Sequence, residues 1–262
     1  MQKLHTNDRG SGHSMDGRET EHGGSGMFAP LGGIGLRSAS EHALALLLDA
    51  IRTGMFEVGS ALPPLRTLAS ELGVSHVVAR QAIEVLVECN VVNVKPGRGG
   101  GIFLTGFSGI PQALARIYQV PDDDEARALI QARRIIELET IQMACSRIRP
   151  DELAKLGALV DRLEASRDTP EFIELTVQIN MLISLAAGNP VLTRFLREIL
   201  NRMAIVGQTG DSQEIRFTSI APAALLYRRL YEALCRHDQD AVHRHVDAHI
   251  ALVSSIYGLD DA

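Results

Sequence analysis

The chain has 262 residues, enough for two modest domains that each bury a core. Hydrophobic residues make up 45% and charged residues 22%, an ordinary globular balance, but aromatics reach only 4% with no Trp, so the cores must be largely aliphatic. The net charge of −6 excludes binding to polyanions through bulk charge, so any nucleic-acid surface must come from basic groups gathered on one face.

The cysteines Cys89, Cys145 and Cys235 are far apart and odd in number, which points to reduced thiols rather than a disulfide framework. A membrane helix needs about 18 consecutive apolar residues, and no such run occurs. The N-terminus lacks the apolar stretch of a secretory signal, so a cytoplasmic protein without membrane association is expected.

Residues 1–37 are rich in Gly, Ser and His with mixed charges and no apolar period, the composition of a disordered arm; Met27 is an alternative start. Ser38 and Glu41 stand at capping-box spacing before the apolar stripe Leu44, Leu46, Leu47, Leu48 and Ile51, which predicts a first helix ended by Gly54 and Gly59. A short second helix follows Pro63-Pro64, from Leu65 to Leu72. Gly73 turns the chain, and Ser75 caps a third helix that runs to about Cys89. Val91, Val92 and Val94, a Gly97–Gly101 turn and Ile102-Phe103-Leu104 then predict a β-hairpin.

A braced helix whose N-terminal half is polar outside and aliphatic inside suits entry into a DNA major groove. Val74, Ala79, Ala82, Ile83 and Leu86 are placed to pack inward, leaving Ser75, His76, Val77, Arg80 and Gln81 at the exposed start. Arg80 has the chemistry for a bidentate contact to guanine and Gln81 for adenine. Ser75 and His76 sit where helix N–H groups favour a phosphate. Lys95 and Arg98 flank a glycine tip at Gly97 that lets backbone approach DNA closely.

At this point the chain resembles the GntR family of winged-helix regulators. The carrying residues are Gly54, Gly59 and Leu62-Pro63; Arg66 with Leu68-Ala69; Gly73-Val74-Ser75; Ala79-Arg80-Gln81-Ala82; and Pro96-Gly97-Arg98-Gly99. The resemblance implies that Arg66 and Arg80 contact DNA and that Gly97 forms a minor-groove wing. Leu65, His76 and Val78 replace the usual Glu, Arg and Pro, so the operator is expected to differ from those of relatives.

From Phe107 the pattern is helical, with helices expected at about 110–119, 123–148, 150–166, 170–187, 190–206, 219–236 and 239–257. Asp122, Pro150, Thr169-Pro170 and Asp238 signal starts, Gly188-Asn189-Pro190 a break, and Gly207–Thr218 a polar loop. The expected organisation is therefore a mainly α protein: an arm at 1–37, a winged helix-turn-helix at 38–106, and an all-helical ligand-binding and dimerisation domain at 107–262.

The helical half resembles the FCD domain of the FadR subfamily through Arg133-Arg134 with Glu137, Ala186–Pro190, Glu232-Ala233-Leu234 with Asp238, and His249. Many such domains hold a divalent metal through one Asp and three His. Counted from the Gly-Asn break, those positions fall on Thr176, Asn180, Tyr227 and His249, so only His249 is retained and no metal or other cofactor is expected. His243, His245 and His249 cluster on the last helix, where a polar helix face is favoured over a metal site.

The resulting expectation is a pocket in which Thr176, Asn180, Tyr227, His249 and Arg133 bind a small organic effector, a carboxylate or acyl compound. Arg133 and Arg134 have the alternative of pairing with Glu137 or facing solvent. The functional expectation is a homodimeric repressor of a double-stranded DNA operator, controlled by that effector, or alternatively a ligand-insensitive regulator with a decayed sensor. No nucleophile elbow, phosphate loop, HExxH helix or dinucleotide fingerprint points to an enzyme.

Overall fold

The computed structural model describes residues 38–206 and 220–259; the expected arm and the Gly207–Thr218 loop lie outside them. Helix α1, Ala39–Arg52, starts in the expected capping box: Ser38 Oγ accepts from the Glu41 N–H at 3.2 Å, and Glu41 Oε2 accepts from the Ser38 N–H at 2.7 Å. Such caps contribute about 1 kcal/mol each. Helix α2 spans Leu65–Glu71 and α3 His76–Glu88. Leu44, Leu47, Leu48 and Ile51 of α1 share a buried core with Ala82, Ile83 and Leu86 of α3.

Strands β1, Val92–Lys95, and β2, Gly101–Leu104, form the expected antiparallel hairpin, with Val92 opposite Leu104 and Lys95 opposite Gly101. The hairpin is also held on its other edge. The Gly59 and Leu62 N–H groups donate to Leu104 and Ile102 carbonyls, both at 2.8 Å. At the tip, a Cβ on Gly100 would fall 2.2 Å from the Lys95 carbonyl oxygen, which explains why a side chain is excluded there.

Helix α4, Ile110–Leu114, is shorter than expected and packs into the core of this first unit through Ile110, Ala113 and Leu114. Ile205, near the end of the eighth helix, joins the same core. Gly109 makes the approach feasible, since any Cβ there would lie 1.7 Å from the Cys89 carbonyl oxygen. The head's core therefore extends past residue 106, where the polarity pattern alone suggested a division.

The helical half comprises α5 (Asp123–Arg147), α6 (Pro150–Ala165), α7 (Thr169–Ala186), α8 (Pro190–Val206), α9 (Ile220–Cys235) and α10 (Gln239–Ile256). Asp122, Asp168 and Asp238 cap α5, α7 and α10 by accepting from the N–H groups of Glu125, Glu171 and Ala241 at 2.8–3.0 Å. The cap of α7 is thus Asp168, one residue before the expected Thr169-Pro170 start. Helix α5 is central, packed by α7, α8 and α10, while α6 packs on α7 and α9. Their shared core is aliphatic, with Ile130, Ile141, Leu156, Val160, Leu175 and Ile179 among its members. Among the described residues no helix is long and apolar enough to cross a membrane.

Candidate functional site

Two surfaces carry unusual chemistry. The first is the outer face of α2 and α3. Ser75 Oγ caps α3 by accepting from the Val78 N–H at 3.3 Å, and Ala79, Ala82, Ile83 and Leu86 are buried as the period requires. That rotation leaves His76, Val77, Arg80 and Gln81 exposed, with Val77 at 64%. Gln81 lies at the edge of this face, over a shallow depression shared with Glu41 and Arg116.

Arg66 on α2, Arg80, and Arg98 in the hairpin turn are exposed and make no hydrogen bond or ion pair among the described residues. Lys95 rests its ammonium 4.7 Å from the Phe103 ring centroid. Gly97 and Gly99 take φ of +90° and +82°, a left-handed backbone that glycine adopts without strain. Solvated, unpaired guanidiniums beside a bare backbone turn can meet phosphates or base edges with little desolvation cost.

The second is a cavity of about 560 Å³ lined mostly by the helical half. Arg133, Thr176, Tyr227 and His249 all line it, among apolar walls that include Phe172, Val177 and Val253. Asn180 is not on the wall; it stands behind Tyr227 and donates Nδ2–H to the phenol oxygen at 2.8 Å. The Tyr227 hydroxyl lies 3.2 Å from His249 Nε2, and His249 Nδ1 lies 3.0 Å from Glu137 Oε2. Arg133 Nε donates to Glu137 Oε1 at 2.6 Å.

These contacts form one buried chain whose polarity runs in a fixed direction. Burial alone would raise the Glu137 carboxyl, yet Arg133 and His249 together hold it down to about 2. An ionised Glu137 accepts a hydrogen bond from His249 Nδ1–H, which in the neutral ring leaves Nε2 to accept from the Tyr227 hydroxyl. Burial pushes the Tyr227 phenol up, so it remains a donor. Arg133 Nη2 makes no hydrogen bond among the described residues and belongs to a side chain on the cavity wall. Arg134, the alternative sensor arginine, is exposed and pairs with Asp247 at 2.8 Å.

The positions where relatives place a metal do not fit one here. The sole imidazole offers Nε2 to Tyr227, Thr176 Oγ1 donates to the Ile173 carbonyl at 2.7 Å, and Asn180 turns its amide N–H groups to Tyr227. The three histidines of α10 also diverge. His243 is exposed beside Asp247 at 3.8 Å, whereas His245 is buried and stacked on His249, with ring centroids 5.6 Å apart. Among the described residues no cluster of three His, Cys, Asp or Glu groups is gathered for a metal.

Sequence reasoning missed the far end of the cavity. Arg52, the last residue of α1, lines it together with Glu174 of α7. The two form an ion pair at 2.9 Å with only 2% and 3% of their side chains exposed. Arg52 Nη1 also donates to the Leu200 carbonyl at 3.4 Å and to Asn201 Oδ1, and Asn201 Nδ2 donates back to Asp49 of α1 at 3.1 Å. Nearby, Gly54 takes φ of +78° and abuts Gln178; a Cβ would sit 2.8 Å from the Gln178 amide oxygen. One signal was present in the sequence. Arg52 stands four residues after Leu48, on the apolar side of α1, where a charge needs a buried partner.

Comparison with known proteins follows the same division. Residues 39–102 match the family described as bacterial regulatory proteins, gntR family, and residues 128–252 match the FCD domain. The HTH-type transcriptional regulator YcbG of Bacillus subtilis (strain 168) is 25% identical over 230 residues, covering 87% of this chain and 94% of YcbG. The HTH-type transcriptional regulator McbR of Escherichia coli (strain K12) is 26% identical over 224 residues, covering 79% of this chain and 89% of McbR. The solved structure of E. coli McbR/YncC has the same fold, with a TM-score of 0.52 at 18% identity over 87% of this chain and all of that one.

Proposed function

The chain is a transcriptional regulator of the GntR family with a C-terminal FCD domain, and from that premise we propose that it is a cytoplasmic, homodimeric repressor released from its operator by a small organic acid. The observation that carries this reading is the cavity that joins Arg133, Tyr227 and His249 to Arg52 at the end of α1. Its polar groups are ordered into one hydrogen-bonded chain, which supports a working sensor rather than a decayed one. A carboxylate ligand would take Nη2 of Arg133, which has no hydrogen-bond partner among the described residues, with no metal involved.

In this reading α3 enters the major groove. Arg66, Ser75, His76, Val77, Arg80 and Gln81 face the operator, and Lys95, Gly97 and Arg98 form the wing contact. A dimer places two heads on half-sites about one helical turn apart. Leu185, Val191 and Phe195, exposed together at the α7–α8 corner, supply an apolar patch for the second protomer.

Fluorescence anisotropy with duplexes from the region upstream of the protein's own gene tests the reading. Salt-sensitive binding by wild type, weakened in Arg80→Ala and reversed by an organic acid or acyl-CoA from a thermal-shift screen, is the expected result. Absence of wild-type binding to every such duplex would sink it.

A further inference from the structure

Two arginines line the cavity, one supplied by the sensor and one by the head. Arg133 of α5 and Arg52 of α1 both line it, and each is balanced by a single buried carboxylate, Glu137 and Glu174 respectively. Among the described residues Nη2 of each guanidinium makes no hydrogen bond. The lining of the same cavity includes the apolar side chains of Phe172, Val177, Leu200 and Met203. Two guanidiniums in one cavity with apolar lining match a ligand with two acid groups on an apolar skeleton.

We propose that the effector is a dicarboxylate that spans this cavity, one carboxylate on Arg133 and the other on Arg52, where it competes with Glu174. The proposal rests on the ligand-controlled reading above and names its substrate class and its point of contact with the head. The two sites are not equivalent. Glu137 is held by two partners, Arg133 and His249, and His249 is held in turn by Tyr227, so the Arg133 site is rigid. Among the described residues Glu174 is held by Arg52 alone, and burial pushes its carboxyl up despite that arginine, so Glu174 is the carboxylate that yields. An incoming anion at Arg52 therefore replaces the contact by which α7 holds α1. Asn201 and Asp49, bonded beside it, are loosened by the same displacement.

The test is isothermal titration and thermal shift of the full-length protein with straight-chain diacids from glutarate to sebacate, each beside the monoacid of equal length. The expected result is at least one diacid that binds about tenfold tighter than its monoacid, a difference of about 1.4 kcal/mol. Arg52→Met alone would leave Glu174 buried without a counter-ion and is liable to unfold, so the variant used is Arg52→Met with Glu174→Met, which replaces the pair by apolar groups of similar size. In it the diacid-to-monoacid ratio should fall toward one. Glu174→Gln, which removes the competing anion while keeping Arg52, should tighten the diacid several-fold and leave the ratio larger than in wild type.

A ratio unchanged in the double variant, or no diacid preference in wild type, overturns the assignment of Arg52. Monoacids that bind and release DNA equally well in both proteins would do so while leaving the ligand-controlled reading standing. That reading fails separately, when no acid or acyl-CoA alters DNA binding at all.

Discussion

The reading face of the head and the interior of the sensor use the same residue types in opposite ways. On α2, α3 and the wing, Arg66, Arg80 and Arg98 are exposed and have no partners among the described residues, whereas Arg52 at the end of α1 and Arg133 in the helical half are buried and ion-paired with Glu174 and Glu137. A solvated arginine costs the fold almost nothing and remains available to a polyanion. A buried one is stable only while its counter-ion stays in place, so it makes a responsive element. The contrast separates arginines free to meet a polyanion from arginines that the fold depends on.

The largest effect should come from breaking the buried side of that contrast. Glu137→Leu leaves Arg133 without a counter-ion in the interior and should remove about 3–5 kcal/mol of stability, read as the shift in a urea unfolding curve. Arg80→Ala should do the reverse. It is expected to weaken operator binding by about 1–3 kcal/mol while unfolding stays within about 0.5 kcal/mol of wild type. A variant that lost both together would erase the distinction between the two classes of arginine.

Acid titration sharpens it further. Burial, reinforced by the neighbouring His249, pulls the His245 pKa down to about 3, and its Nδ1 has no hydrogen-bond partner among the described residues. A depressed folded-state value means that the unfolded chain binds the extra proton. Stability is thus present above the ordinary pKa of 6.5 and lost as pH falls below it, by about 1.4 kcal/mol per pH unit. Glu137 adds a loss of the same sign between its ordinary 4.5 and about 2, while Glu174, whose carboxyl is raised, offsets part of it. His245→Phe, similar in shape, should flatten the unfolding free energy between pH 6.5 and 4.5, and an unchanged slope would refute the assignment. The smallest effect belongs to the wing, where Arg98→Ala should lower the salt slope of DNA binding by about one without altering sequence preference.

Most of the fold was legible because its signals are local. Ser38 with Glu41, Asp122 and Asp238 mark helix starts through bonds that reach only three residues along the chain. What escaped were the contacts between distant segments. Nothing in the pattern of Ile110, Ala113 and Leu114 tells whose core they enter, and Arg52 and Glu174 are 122 residues apart. The cavity shows the same division. The resemblance pointed to Arg133, Thr176, Tyr227 and His249 through their place in a known pattern, but the position of Asn180 behind the wall depends on how α7 turns against α9.

Arg52 also makes α1 a lever. The helix is 14 residues long, about 21 Å, and it packs along α3, while its last residue ends in the cavity wall. A tilt of about 3° about that end would carry the far end through about 1 Å, and α3 with it. Two heads on one duplex double any such displacement, and half-site spacing is fixed by the DNA, so a shift too small to disturb the sensor's core is enough to put the pair out of register.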